Sequence, residues 1–181
     1  RGQGGIFLVW VIVMIFVVTS AISHVRRVRL INGSANGGTL ANRQRRQIEM
    51  PVDAGRAFDI LDAAIRELPN VEDVESARDS LQIRAKVRRV YSYGGAVPLL
   101  QRMIGWFGAE RNQIFATVMP HPDTGTVNLV CEPEGGAWRD WFTVDNGTNL
   151  ENAQAISRAV SRRITEVRRG EQASTKATQT E

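Results

Sequence analysis

The side chains that most often perform catalysis or bind metal ions are sparse in this chain. It has two histidines, His24 and His121, and a single cysteine, Cys131. One cysteine cannot form an internal disulfide or a multi-cysteine metal site, and two histidines in unrelated segments form neither a metal-ligand pair nor part of a triad motif. The glycine pairs lack the spacing of a phosphate-binding loop. The sequence therefore predicts a protein that is not an enzyme, with no cofactor, metal or small-molecule substrate.

Basic side chains are the binding groups that the sequence does concentrate, and one set lies in the segment LQIRAKVRRV. Arg84, Lys86 and Arg88 alternate there with apolar residues, which predicts a strand with one face in the core and one basic face. A sheet face that binds single-stranded nucleic acid also carries exposed aromatic rings. Tyr91 and Tyr93 follow the strand instead of lying on it. Although the net charge is +4, we therefore expect no nucleic-acid partner.

The second basic set, Arg26, Arg27 and Arg29, follows an uncharged run that covers residues 4–22. A helix of that length spans about 28 Å, close to the thickness of the hydrocarbon core of a bilayer. The run is apolar on all sides, whereas a surface helix of a soluble domain has a polar stripe. A secretory signal peptide usually carries its basic residues before a shorter apolar core. We therefore predict a transmembrane helix over residues 4–23, in preference to a cleaved signal peptide or a buried soluble helix.

The same three arginines predict the orientation of the chain. Basic residues close to the end of a membrane helix stay on the cytoplasmic side, and only Arg1 stands at the other end. The carboxyl-terminal domain is therefore expected on the cytoplasmic side, or on the matrix or stromal side in an organelle. Arg26, Arg27 and Arg29 are candidate contacts to anionic lipid head groups, and a simple stop signal explains them equally well. Residues 24–45 are interpreted as a basic juxtamembrane segment and a flexible Gly/Asn-rich linker.

One α+β domain is predicted over residues 46–170, followed by a polar tail over residues 171–181. Its elements are a strand at RRQIEMP, a helix with Asp53 as its N-cap, two strands, a hairpin around HPDTG and a long last helix. In the hairpin, Gly125 is expected to supply a positive φ. The last helix carries a capping-box pattern, Thr148-x-x-Glu151, and Gly170 is expected to end it. The order β-α-β-β-β-β-α predicts an antiparallel sheet of about five strands with two helices on one face.

The segments PVDAGRAFDILDAAIRELPNVEDVESARDSLQIRAKV, GTVNLVCEP and DWFTVDNGTNLENAQAISRAV carry a family resemblance. In their pattern of helix, proline stop, alternating strands and polar run before the last helix, residues 46–169 resemble a family of small bacterial and plastid domains of unknown function. Those domains look like abbreviated helix-grip (START-like) folds. The resemblance implies a sheet gripped by a long helix, and it offers lipid or hydrophobic-ligand binding as an alternative function. It brings no catalytic motif.

An insertion over residues 91–111 departs from that family pattern. It contains a dense apolar cluster, and on a helix most of this cluster falls on one face. Three interpretations remain open for it: ordinary core, a contact to a partner subunit, or a helix lying on the membrane surface. The residues concerned are Leu99, Leu100, Met103, Ile104, Trp106 and Phe107.

These features together predict a single-span accessory subunit of a larger membrane complex. Its partners are expected to be other membrane-protein subunits and membrane lipid. Respiratory and photosynthetic assemblies are the class in which such helpers are common, although no residue here indicates one. The alternatives are a membrane-anchored module of helix-grip type that binds lipid or another hydrophobic ligand, and a scaffold that acts alone at the membrane surface.

Overall fold

The long apolar helix predicted at the amino-terminal end is present and extends further than expected. The structure is a computed structural model that describes residues 3–88, 111–122, 124–134 and 147–178. Helix α1 covers Gln3–Asn32, and between Ile6 and Ile22 every apolar side chain that is described is exposed. Its length and apolar composition are sufficient to cross a membrane, and it is the one helix in the described ranges for which this holds.

The segment after residue 23, which the sequence suggested to be a flexible linker, is largely regular structure. Helix α1 continues through the basic cluster to Asn32, and Gly33 follows it with a φ of 73°. A short helix, α2, then covers Gly37–Leu40. The hydropathy of the segment does not reveal either helix.

Five antiparallel strands form the sheet of the described domain, which confirms the predicted α+β class. They are β1 (Gln44–Met50), β2 (Val71–Ala77), β3 (Gln82–Arg88), β4 (Arg111–Pro120) and β5 (Gly125–Pro133). Their order across the sheet is β1-β5-β4-β3-β2. Because every neighbouring pair is antiparallel, alternate side chains of each strand point to the same face of the sheet.

Two helices cover one face of the sheet and form the core with it. Helix α3 covers Ala54–Arg66, and the Asp53 side chain caps it by accepting a hydrogen bond of 3.0 Å from the amide of Arg56. Helix α4 covers Thr148–Thr178. The inward-facing strand residues join both helices in a single cluster of fully buried side chains, of which the largest are Met50, Leu61, Ile65, Ile83, Ile114, Leu129 and Ile156.

Two local expectations, a positive φ at Gly125 and a helix end at Gly170, are corrected by this fold. Gly125 has no positive φ; a side chain there would place its Cβ 2.7 Å from the Cβ of Ala57, so close packing against α3 requires glycine. Helix α4 begins at Thr148 and is preceded by Gly147, whose φ is 76° and whose carbonyl accepts from the Glu151 amide at 2.9 Å. The helix also continues past Gly170 to Thr178, because one glycine costs a helix only about 1 kcal/mol.

Candidate membrane-proximal junction and basic strand face

The last turns of α1 pack against the domain through one helical face. His24 and Val28 lie one turn apart on this face and are 7% and 0% exposed. The Nε2 atom of His24 lies 3.0 Å from the carbonyl oxygen of Leu40, at the end of α2. Val28 packs against Gly147, where an added Cβ would lie 3.2 Å from the Val28 Cγ2. Gly147, the residue immediately before α4, is therefore in direct contact with α1.

Polar contacts reinforce this junction from both sides. The Arg27 guanidinium lies 2.9 Å from the carboxylate of Glu151. The side-chain amide of Gln154 donates a hydrogen bond of 3.1 Å to Asn32. Both partners in α4 belong to its first two turns, so the start of α4 is attached to α1 by charge and by hydrogen bonding as well as by packing.

The connection between α1 and β1 is held by its own hydrogen bonds. Asn36 and Thr39 form a capping box at the start of α2, with both hydrogen bonds at 2.9 Å. The Gln44 side chain then donates to the carbonyl oxygens of Gly38 and Ala41, at 3.0 and 2.6 Å. These bonds provide partners for backbone amides at the start and backbone carbonyls at the end of a helix that is too short to be stable alone.

The three arginines proposed for lipid head groups differ in their surroundings. Arg26 and Arg29 are exposed, whereas the Arg27 side chain is 26% exposed and engaged with Glu151. Leu30 lies on the outward side of the same turns and is 86% exposed. The structure therefore leaves Arg26 and Arg29 available on a surface that also presents an apolar side chain, and it uses Arg27 to join two helices.

The basic face predicted for β3 is present, and acidic or aromatic neighbours accompany its charges. The Arg84 guanidinium lies over the Phe115 ring, 5.5 Å from its centroid. Lys86 pairs with Glu134 at 3.3 Å. Arg88 pairs with Glu72 at 2.5 Å, and this carboxylate also accepts from Arg111 at 2.8 Å. Such exposed pairs contribute little to stability, and they reduce the positive potential of the face.

A shallow depression of about 470 Å³ lies on this part of the sheet. Arg84, Phe115 and Glu75 line it together with neighbouring residues of β2, β3 and β4. The depression is open to solvent, and its lining includes one basic side chain, one acidic side chain and one aromatic ring.

The remaining predicted contact residues, Leu99, Leu100, Met103, Ile104, Trp106 and Phe107, lie outside the described residues. Within the ranges that the structure does describe, no group of three or more His, Cys, Asp or Glu side chains could hold a metal ion.

Sequence reasoning did not find the junction residues, although one signal for them exists. His24, Val28 and Ile31 follow the three- and four-residue spacing of a helix face. This spacing could have indicated that the basic segment is helical and packs on one side. The partners of that face, Gly147 and Glu151, lie so far along the chain that no local pattern connects them.

Comparison with known proteins adds a similarity of fold. No family model matches the sequence, and no curated protein matches it. Similar solved structures include the protein TTHA0849 from Thermus thermophilus, with 15% identity and a TM-score of 0.38 over 69% of this chain and 98% of that chain. A START superfamily protein from Mycobacterium smegmatis has 9% identity and a TM-score of 0.37 over 69% of this chain and 98% of that chain. The Zhui aromatase/cyclase from a Streptomyces species has 11% identity and a TM-score of 0.35 over 70% of this chain and 91% of that chain.

These neighbours include START-type proteins that combine a sheet with helices, as the resemblance noted in the sequence implied. Identities of 9–15% with TM-scores of 0.35–0.38 support no statement about activity. The activities of those proteins are therefore not assigned to this chain.

Proposed function

We propose that the protein is a non-catalytic, single-span accessory subunit of a larger membrane complex. In this proposal α1 is the membrane anchor and the α+β domain contacts partner subunits at the membrane surface, on the cytoplasmic, matrix or stromal side. The observation that carries it is the continuity of α1. The helix runs from an exposed apolar stretch directly into a packed junction with α4.

Continuity matters because it fixes the position of the domain. A flexible linker would allow a domain to search a wide volume near the membrane, which suits recruitment. A helix that is packed, ion-paired and hydrogen-bonded to the domain holds one surface at one height and orientation, which suits a subunit that completes an assembly.

The exposed face of the junction supports contact with protein. Leu30 is 86% exposed beside Arg26 and Arg29. An apolar side chain with flanking arginines is typical of the centre and rim of protein interfaces. Leu30 and the sequence-predicted cluster within residues 97–107 are our candidates for the partner contact.

The alternative, a lipid or hydrophobic-ligand module, requires space between α4 and the sheet. In the described part of the core, Ile114, Leu129 and Ile156 fill that space as fully buried side chains. This packing favours the accessory-subunit proposal over the ligand-binding alternative.

The test is extraction of the full chain from its native membrane in a mild detergent, followed by sizing and quantitative mass spectrometry. We expect stoichiometric membrane-protein partners. Leu30→Asp and deletion of residues 97–107 should each reduce their yield, whereas Met119→Asp, which alters another exposed apolar side chain, should not. A chain that migrates alone contradicts the proposal. If it also carries a bound lipid in the mass spectrum of the extract, the ligand-binding alternative gains support.

A further inference from the structure

The chain between α1 and β1 folds back toward the position where the apolar run ends. Ile22 is the last residue of that run, and His24 follows it by two residues, which is about 3 Å along a helix axis. The chain leaves α1 at Asn32, reverses at Gly33, and returns so that the Leu40 carbonyl lies 3.0 Å from the His24 ring. Helical side chains also point back toward the amino-terminal end of their helix.

The depth of α2 follows from these distances. The head-group layer adds about 5–8 Å to each side of the hydrocarbon core. His24 falls inside this layer if the core ends near Ile22, and α2, which is four residues long, is in contact with His24 at its carboxyl-terminal end. By contrast, Asn32 lies about 15 Å beyond Ile22 along the axis.

We infer that α2 lies in the phospholipid head-group layer and that the domain is docked on the lipid surface through it. This inference rests on the proposed function, because it requires α1 to be a membrane anchor. The partner is the phospholipid surface itself, since the hydrogen bond between His24 and Leu40 holds α2 against the anchor at the end of its apolar run. Arg26 is exposed on α1 about 6 Å beyond Ile22, where it supplies a cation for lipid phosphates.

The surface of α2 suits such an environment. Gly37 and Gly38 are exposed and leave the backbone accessible, while the capping box and the Gln44 side chain bond some of the backbone groups at the two ends of the helix. Gly37 also offers a clean position for a probe, because an added Cβ there meets nothing within 4 Å.

The experiment measures membrane depth in the full chain. Cys131 is the sole cysteine and is buried, so Cys131→Ala gives a background for single labels. A fluorophore is attached at Gly37→Cys, at Met14→Cys within the apolar run, and at Gly170→Cys, another open glycine, far along α4. The protein is reconstituted in phosphatidylcholine–phosphatidylglycerol vesicles with nitroxide either on the head group or deep in the acyl chain, and aqueous iodide is the third quencher.

We expect the Gly37 label to lose most of its fluorescence to head-group nitroxide and to be protected from iodide. The Met14 label should respond to the deep nitroxide and the Gly170 label to iodide alone. Adding His24→Leu, which replaces the imidazole with an apolar side chain and so removes the hydrogen bond to Leu40, should shift the Gly37 label toward the iodide-accessible pattern.

Two results overturn the inference, and they differ in what they mean for the proposed function. If the Gly37 label behaves like the Gly170 label while Met14 responds to the deep nitroxide, the chain is anchored but α2 is not docked. If Met14 does not respond to the deep nitroxide, α1 does not insert, and the proposed function fails together with the inference.

Discussion

The guanidinium of Arg27 lies 2.9 Å from the carboxylate of Glu151, although the two residues are 124 positions apart in the sequence. The contact joins the helix at the amino-terminal end to the first turn of the last helix. Glu151 is also well placed at the positive end of the α4 dipole. The pair therefore connects the proposed membrane anchor to the start of α4. The order of elements along the chain does not predict this contact.

Removing this pair should have a small and salt-sensitive effect. The two side chains are 26% and 51% exposed, so we expect a coupling free energy of about 0.2–1 kcal/mol. A double-mutant cycle with Arg27→Gln and Glu151→Gln, measured as the free energy of unfolding in detergent, gives this value directly. The coupling should fall as ionic strength rises. No coupling at low salt would show that the contact does not stabilise the junction.

Packing at Val28 should matter more than the ion pair. Val28→Asp would bury a carboxylate against Gly147, which costs several kcal/mol without a partner. We expect the junction to open and hydrogen exchange of the α2 amides to accelerate. Leu30→Asp is the matched control, because Leu30 is two residues away and 86% exposed. Equal protection of α2 in the two variants would be inconsistent with a packed junction.

The sequence was informative where a local pattern determines the outcome. Alternation in β3, the N-cap at Asp53 and the apolar run of α1 each depend on neighbouring residues, and each is found in the structure. These patterns are sufficient for the α+β class and the antiparallel sheet.

Long-range contacts explain what the sequence did not reveal. Gly125 resembled a turn glycine in the sequence, but in the structure a side chain at this position would clash with Ala57 of α3. Beyond residue 23, Val28 of α1 packs against Gly147, which lies far along the chain, and the ends of α2 are bonded by Asn36, Thr39 and Gln44. For Gly125 and Val28 the partner lies far away in the sequence, so no local pattern indicates it. A resemblance to a fold class does not specify such partners.

Gly125→Ala tests the close approach of β5 and α3. The new Cβ would lie 2.7 Å from the Cβ of Ala57 and 3.6 Å from the Cα of Ala54. We expect a loss of about 1–3 kcal/mol in the free energy of unfolding, because a packed core does not easily accommodate an extra methyl group. Gly170→Ala changes an open helical glycine and should instead stabilise by about 0.5–1 kcal/mol. Urea unfolding measures the stability of both variants. An unchanged free energy of unfolding in Gly125→Ala would contradict the close approach of β5 and α3.

Asp62 should make the stability of the domain depend on pH. Partial burial opposes ionisation of its carboxyl, but hydrogen bonds from Arg66, at 2.8 Å, and from Ser76, together with the Arg66 charge, outweigh it and hold the pKa of Asp62 below its ordinary value. A lowered folded-state pKa stabilises the fold above the unfolded-state pKa of about 3.9, and this stabilisation is lost as pH falls through the folded-state value.

Asp62→Asn should therefore lower the free energy of unfolding near pH 7, by no more than about 1 kcal/mol for a pair at the surface. The difference from the parent chain should shrink as the pH falls below about 4 and disappear below the folded-state pKa, where the parent carboxyl is neutral as well. Ser76→Ala removes one of the donors and should produce a smaller difference with the same dependence on pH. Denaturant unfolding at a series of pH values measures all three chains. A deficit in Asp62→Asn that persisted unchanged into acid would mean that shape or packing at this position, and not the charge of the carboxylate, is responsible.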